Sequence, residues 1–339
     1  MYTTDSRRCD EADCHLLYDI RKDKLTLFIP AIDFRKAVWG GAGSTRAEAE
    51  KKYDVDSVKY VTKLKGEVRD WWNKSEAKLY LLHPNQTVSI LQAFLKSNLD
   101  ADFTRIDVTN LQRATDKCRV IKDGHEISLI RRANQISADA HRAVLSHLRS
   151  FENEGEVEAI FLETSIVEGA KKQSYNIIAG SGINAAVLHY GNNDEPLKDR
   201  QLLLLDAGAE WQCYASDVTR TFPLSGHWTK EAKEIYDVVD EMQTACIDRM
   251  QPGCSFRDLH ILAHFIAVTR FLELGIFHNG TRDEILKAGT SMAFFPHGLG
   301  HHVGLEVHDV DVPLTSGGYL KKFEGPVDAF DVGLINLST

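Results

Sequence analysis

Six cysteines are scattered over 339 residues, and no two stand in a Cys-x-x-Cys pair. That spread argues against a disulfide framework and against a cysteine-rich zinc module, and it suits reduced thiols. No run of about 18 apolar residues occurs, so no segment reads as a membrane span. The opening MYTTDSRRCDEADCH lacks the apolar core of a secretory signal. Basic residues are outnumbered, 40 Lys and Arg against 49 Asp and Glu, giving a net charge of −9. With no Lys/Arg stripe, a nucleic-acid partner is not expected. Long linkers, repeats and low-complexity segments are also absent. These absences predict a cytoplasmic protein with neither a membrane nor a nucleic-acid partner. What remains is ordinary for a soluble globular chain, 43% hydrophobic and 26% charged. The length admits two domains, each with its own core.

Read in order, Leu16–Ile20 and Leu25–Ile29 flank the polar turn Arg21–Lys24 and predict a β-hairpin. Thr45–Lys52 is helical in composition, and Lys78–Leu82 reads as a short strand. A helix through Val88, Leu91 and Leu95 follows, making the first ~120 residues a small α/β unit. Asp123 and Glu126 predict a capping box, followed by a long helix with Ile130, Ala133, Ala140, Val144 and Leu148 on one face. The domain boundary is placed at Cys118–Lys122. Beyond it, Tyr175–Ala179 and Ala185–His189 read as strands joined by Gly180-Ser181-Gly182. Thr229 caps a helix with apolar positions Ala232, Ile235, Val239 and Cys246. Ser255 and Asp258 open another through Leu259, Leu262 and Ile266, with Gly275 as its stop. Strands followed by helices predict an α+β second domain.

Two stretches carry chemistry. In LLLLDAGAEWQCYASDVTRTFP, a strand of four leucines ends in Asp206, and a second strand, roughly Trp211 to Phe222, carries Asp217. Ala207, Gly208 and Ala209 suit a tight reversal or a close backbone approach between them. Carboxylates that converge inside a sheet repel one another, and a divalent cation relieves the repulsion. The second stretch, FFPHGLGHHVGLEVHD, places His297, His301, His302 and His308 within twelve residues, spaced by glycines. Isolated histidines elsewhere, His141, His260 and His264 among them, are left unassigned, since a lone histidine is more often structural than a ligand.

DAG…SDVTRTFP followed by PHGLGHHVGLEVHD resembles the pita-bread metallopeptidases, and within them the Xaa-Pro branch of aminopeptidase P and prolidase. The resemblance runs from about residue 13 to 312 and includes the long helix and SYNIIAGSGINAAVLHY. It implies an α+β fold: a small N-terminal α/β domain (residues 1–120), a pita-bread catalytic domain (121–312) and a divergent tail (313–339). It also implies roles. Asp206 would chelate one metal, Asp217 would bridge two, and His301 would ligate the other. His189, His297 and His308 would line the substrate site. Two Mn²⁺ ions would activate a water for attack on the carbonyl of a peptide with proline at its second position. Homodimers are usual in that family.

The resemblance also predicts two glutamate ligands, in later motifs around Glu-Pro-Gly and Arg-x-Glu-Asp, and neither motif occurs here. Glu324 precedes Gly-Pro in different surroundings and reads as a turn acid. Glu306 stands at a position the family does not use as a ligand. Both ends look shortened, which predicts weak metal binding and little or no peptidase turnover. Prolidase activity on dipeptides and a non-catalytic pita-bread binding protein are the competing readings. Metal-free creatinase-like hydrolysis and methionine aminopeptidase rank below them.

Overall fold

The computed structural model describes residues 11–82 and 103–310. The expected helix through Leu91, the divergent tail and Glu324 lie outside them. Two units divide between Ser128 and Leu129.

In the first unit the predicted hairpin forms. Strands β1 (His15–Asp19) and β2 (Lys24–Ile29) pair antiparallel, with Tyr18 opposite Leu25. Helix α1 (Phe34–Gly40), which the sequence reading passed over, is followed by α2 (Arg46–Lys52). Thr45 and Glu48 close a reciprocal capping box at the start of α2, as its composition suggests. Strand β3 (Ser57–Tyr60) adds parallel to β2. Leu27 and Ile29 pack with Ala49, Tyr53 and Val58, while Phe28 joins Val68 and Trp72 of helix α3 (Leu64–Lys74). Alternation along β2 therefore serves two clusters, one on each face. The strand expected over Lys78–Leu82 shrinks to β4 (Leu79–Tyr80), paired parallel with β5 (Ile106–Asp107). Helix α4 (Asn110–Arg119) follows. Asp123 and Glu126 then exchange backbone and side-chain hydrogen bonds at 2.8 and 2.9 Å, the predicted box at the head of α5 (Gly124–His147).

The second unit is built on a three-stranded sheet. Strand β8 (Leu202–Asp206) lies between β7 (Ile178–Ser181) and β10 (Thr219–Pro223), antiparallel to both. A short ladder, β6 (Lys172–Gln173) with β9 (Ala209–Glu210), stands beside it in sequence. Ala140 and Val144 of α5, with Val157 and Phe161 of α6 (Glu154–Val167), pack on Leu203, Leu205 and Phe222. Side chains alternate along a strand, so burying Leu203 and Leu205 sends Leu202, Leu204 and Asp206 to the other face. The core thus decides where the first acid points. Helices α7 (Lys230–Asp248), α8 (Phe256–Glu273) and α9 (Arg282–Ala288) complete the unit, with Thr229, Ser255 and Thr281 as N-caps. The predicted stop at Gly275 has φ of 71°, which glycine tolerates.

Three expectations are corrected. Ala185–His189 is not a strand: Gly182–Ala186 winds into a 3₁₀ turn, and a Cβ at Gly180 would sit 3.1 Å from the Asn184 carbonyl. The strand expected over Trp211 to Phe222 is broken. Trp211 and Tyr214 bracket a tight turn at Gln212 and Cys213, both with positive φ, and Asp217 lies in the irregular stretch before β10. The reversal is therefore at Gln212–Cys213, while Ala207–Ala209 provides the close approach. A Cβ on Gly208 would fall 1.9 Å from the Ser216 carbonyl oxygen, so only glycine fits. On α7 the buried positions are Val238 and Cys246, whereas Ile235 and Val239 are exposed.

Candidate metal centre

Strand pairing puts Thr219 opposite Asp206. Asp217, two residues before Thr219, is thereby carried to the end of β8 beside Asp206. Tyr175 completes the arrangement. Its hydroxyl lies 2.5 Å from Asp206 Oδ1 and 2.8 Å from Asp217 Oδ1. One phenolic hydrogen cannot serve two carboxylates at once. Burial, reinforced by the charge of Asp217, raises the Asp206 pKa above the usual carboxylate range. Burial and the two acids also push the Tyr175 phenol up, so it stays protonated.

The histidine segment supplies the third group. His301 Nε2 is 3.0 Å from Asp217 Oδ2, and its Nδ1 is 2.9 Å from the His302 carbonyl. A carbonyl only accepts, so Nδ1 carries the hydrogen and Nε2 faces the carboxylate. That nitrogen must then bear a proton or meet a cation. The hydrogen bond to Asp217 raises the His301 pKa, and the same contact lowers that of Asp217. The His308 ring stands 4.0 Å from the His301 ring, centre to centre.

Of the expected site residues, the structure gathers Asp206, Asp217, His301 and His308. His297 is exposed, with Nδ1 2.8 Å from the Gly298 carbonyl and its ring edge-on to Phe295. His189 is exposed in the turn after the 3₁₀ segment. Among the described residues no hydrogen bond or ion pair joins either histidine to the acids.

Sequence reasoning missed Tyr175 as a site residue and Glu154 altogether. Glu154 is fully buried at the start of α6. Its Oε1 accepts from the Ser181 backbone N and Oγ and from Asn184 Nδ2, and its Oε2 accepts from the Tyr190 hydroxyl and the Glu195 backbone N. It ties down both ends of the loop that carries His189. In the sequence Glu154 looks like an ordinary first-turn helix acid, and nothing local distinguishes it.

Residues 128–327 match the profile of metallopeptidase family M24, well over half of the chain. The chain belongs to that family. Residues 8–80 match the aminopeptidase P N-terminal domain. A probable Xaa-Pro aminopeptidase of Pyrenophora teres is 53% identical over 304 residues, covering 89% of this chain and 32% of the relative. Another, from Uncinocarpus reesii, is 52% identical and covers 88% of this chain and 71% of the relative. In a third, from Pyrenophora tritici-repentis, the match spans 45% of the relative. The chain thus spans less than half the length of two of these relatives. Zinc-substituted Escherichia coli aminopeptidase P in complex with product superposes with a TM-score of 0.81 at 29% identity, over 90% of this chain and 71% of that one. The low-pH form of the same enzyme gives 0.79 at 30% identity, over 85% of this chain. The expected fold, an aminopeptidase P-like pita-bread architecture with its N-terminal domain, is borne out.

The donors at this centre suit the divalent cation that M24 membership implies. Two carboxylates compete for one phenolic hydrogen, and an imidazole nitrogen faces one of them. Among the described residues no group of three or more His, Cys, Asp or Glu side chains already converges to hold an ion. His301 would have to exchange its contact with Asp217 for the cation. Among the described residues, too, no helix is long and apolar enough to cross a membrane.

Proposed function

We propose that this chain carries the catalytic centre of an Xaa-Pro aminopeptidase, with Asp206, Asp217 and His301 as ligands of divalent cations and Mn²⁺ as the working ion. The observation that carries the reading is Tyr175 joining the two acids while His301 Nε2 meets Asp217. When bound there, divalent ions would lower the pKa of a shared water and polarise the scissile carbonyl. The protein's own part would be to hold the acids close together and to present imidazoles around the reacting amide. His308, its ring tilted against that of His301, would donate to the developing oxyanion. His189 and His297 would act from their loops on the peptide carbonyl and the proline end. An amide preceding proline has no N–H, so selectivity would rest on a pocket for the ring and on capture of the free amino end.

Two acids supply two negative charges against the four positive ones of a metal pair, so the second ion is held weakly by this ligand set. We expect the 339-residue chain to bind Mn²⁺ and an Xaa-Pro peptide in a mutually dependent way, with turnover far below that of a longer relative. Calorimetry with each ligand in the presence of the other, alongside release of the N-terminal amino acid, checks both points. Independent binding, or peptide binding unchanged in Asp217→Asn, would remove the reading. Turnover matching a longer relative would show that three ligands suffice. Comparing Ala-Pro with a longer Xaa-Pro peptide separates dipeptidase from aminopeptidase.

A further inference from the structure

Helix α5 carries two polar side chains on its buried face, Ser137 and His141, one turn apart and both buried. Polar groups in such a place destabilise the fold unless hydrogen-bonded. Their partners all lie on the segment that carries the two acids. Ala209 N donates to Ser137 Oγ at 2.8 Å, Ser137 and Ser216 share a hydroxyl contact of 2.8 Å, and Ser216 Oγ donates back to the Ala209 carbonyl at 2.8 Å. The three contacts form a closed ring of hydrogen bonds. His141 Nε2 lies 3.0 Å from the Val218 carbonyl and 3.4 Å from that of Ala207. Both partners only accept, so the hydrogen sits on Nε2. The imidazole Nδ1 is buried with no hydrogen-bond partner, and the ring packs edge-on against Phe161.

The anchor points are specific. Ala207 follows Asp206, Val218 follows Asp217, Ser216 precedes Asp217, and Ala209 lies three residues past Asp206. Between them the two backbone runs touch directly, with Ala207 N donating to the Val218 carbonyl at 3.2 Å and Gly208 closing against Ser216. We infer that Ser137 and His141 are positioning residues for the acid pair. They fix the separation of Asp206 and Asp217 through the backbone beside each acid, and so set the pair's affinity for a divalent cation. This rests on the metal reading above. A purely structural role predicts lost stability with cation affinity unchanged. The positioning role predicts a loss of affinity that returns when the donor alone is restored.

The test is a Co²⁺ titration of the whole chain, followed by visible absorption and calorimetry, with folding checked by circular dichroism. His141→Phe keeps a ring and removes the donor, and it is expected to weaken Co²⁺ binding about tenfold. His141→Gln places an amide N–H near the Nε2 position and is expected to recover affinity to within about threefold of wild type. Ser137→Ala, the milder change, is expected to fall between the two. Should His141→Phe fail to fold, Ser137→Ala and His141→Gln carry the test. Wild-type affinity in folded His141→Phe and Ser137→Ala, alongside lost binding in Asp217→Asn, overturns the positioning role and leaves the metal reading standing. A His141→Gln variant as weak as His141→Phe overturns the hydrogen-bond account. Co²⁺ binding indifferent to Asp217→Asn, or absent from the wild-type chain, overturns the metal reading and this inference with it.

Discussion

The second unit holds two carboxylate centres that the same chemistry has treated in opposite ways. Glu154 is fully buried, yet it is surrounded by donors: a serine, an asparagine, a tyrosine and two backbone N–H groups. Burial alone would raise its pKa, but the hydrogen bonds outweigh it and hold the carboxylate below its usual range. At Asp206 and Asp217 two carboxylates share one tyrosine hydroxyl, and an imidazole meets Asp217. Burial wins at Asp206, whose pKa is raised. The first centre is closed by the protein's own donors and has no use for a cation. The second is short of positive charge, and the metal reading proposed above rests on that shortage.

The comparison can be broken most severely at Glu154. Glu154→Gln turns an amide N–H₂ toward donors and is expected to destabilise the unit by about 3 kcal/mol. Mn²⁺ affinity should stay the same. Urea unfolding and metal titration on one preparation check the two halves. Asp217→Asn should do the reverse, weakening Mn²⁺ binding by about a hundredfold, close to 2.7 kcal/mol, with a smaller change in metal-free stability. Loss of the Mn²⁺-induced rise in melting temperature reports it. Tyr175→Phe should cost about 2 kcal/mol without metal. Added Mn²⁺ should return much of that loss, because an ion supplies the missing positive charge. No such recovery is expected for Glu154→Gln, and equal responses of the two variants to Mn²⁺ would erase the distinction.

The gentlest probe is pH. The Glu154 pKa is lower folded than unfolded, so its contribution is present above the ordinary carboxylate range and is lost as pH falls through the folded value. The Asp206 pKa is higher folded than unfolded, so its contribution is present at low pH and fades as pH rises through the folded value. Melting temperatures between about pH 3 and 7 should therefore show a shallower acid loss in Glu154→Gln. Asp206→Asn should gain on wild type as pH rises, and Mn²⁺ should abolish that gain.

Much of this architecture was legible in the chain because the signals were local. Asp123 with Glu126, Thr229 and Ser255 all announce helix starts a few residues away, and each caps as expected. The β1–β2 hairpin follows from two apolar runs about a polar turn. The misreadings fell where backbone geometry depends on distant neighbours. Apolar Ala185–His189 reads as a strand, but among the described residues it has no strand partner, and Asn184 is drawn to Glu154 instead. Trp211 to Phe222 has strand composition, but the turn at Gln212–Cys213 and the contact of Gly208 with Ser216 interrupt it.

By itself, then, the chain singled out two acids in a leucine-rich run, histidines among glycines, and the family those motifs resemble. Only the tertiary structure decided which of them meet. Tyr175 reaches acids 31 and 42 residues away, His301 finds Asp217 across 84, and Ser137 and His141 grip the segment that carries the acids from a separate helix. Hydrogen bonds and charge act through space over a few ångströms, and separation along the chain carries no trace of them.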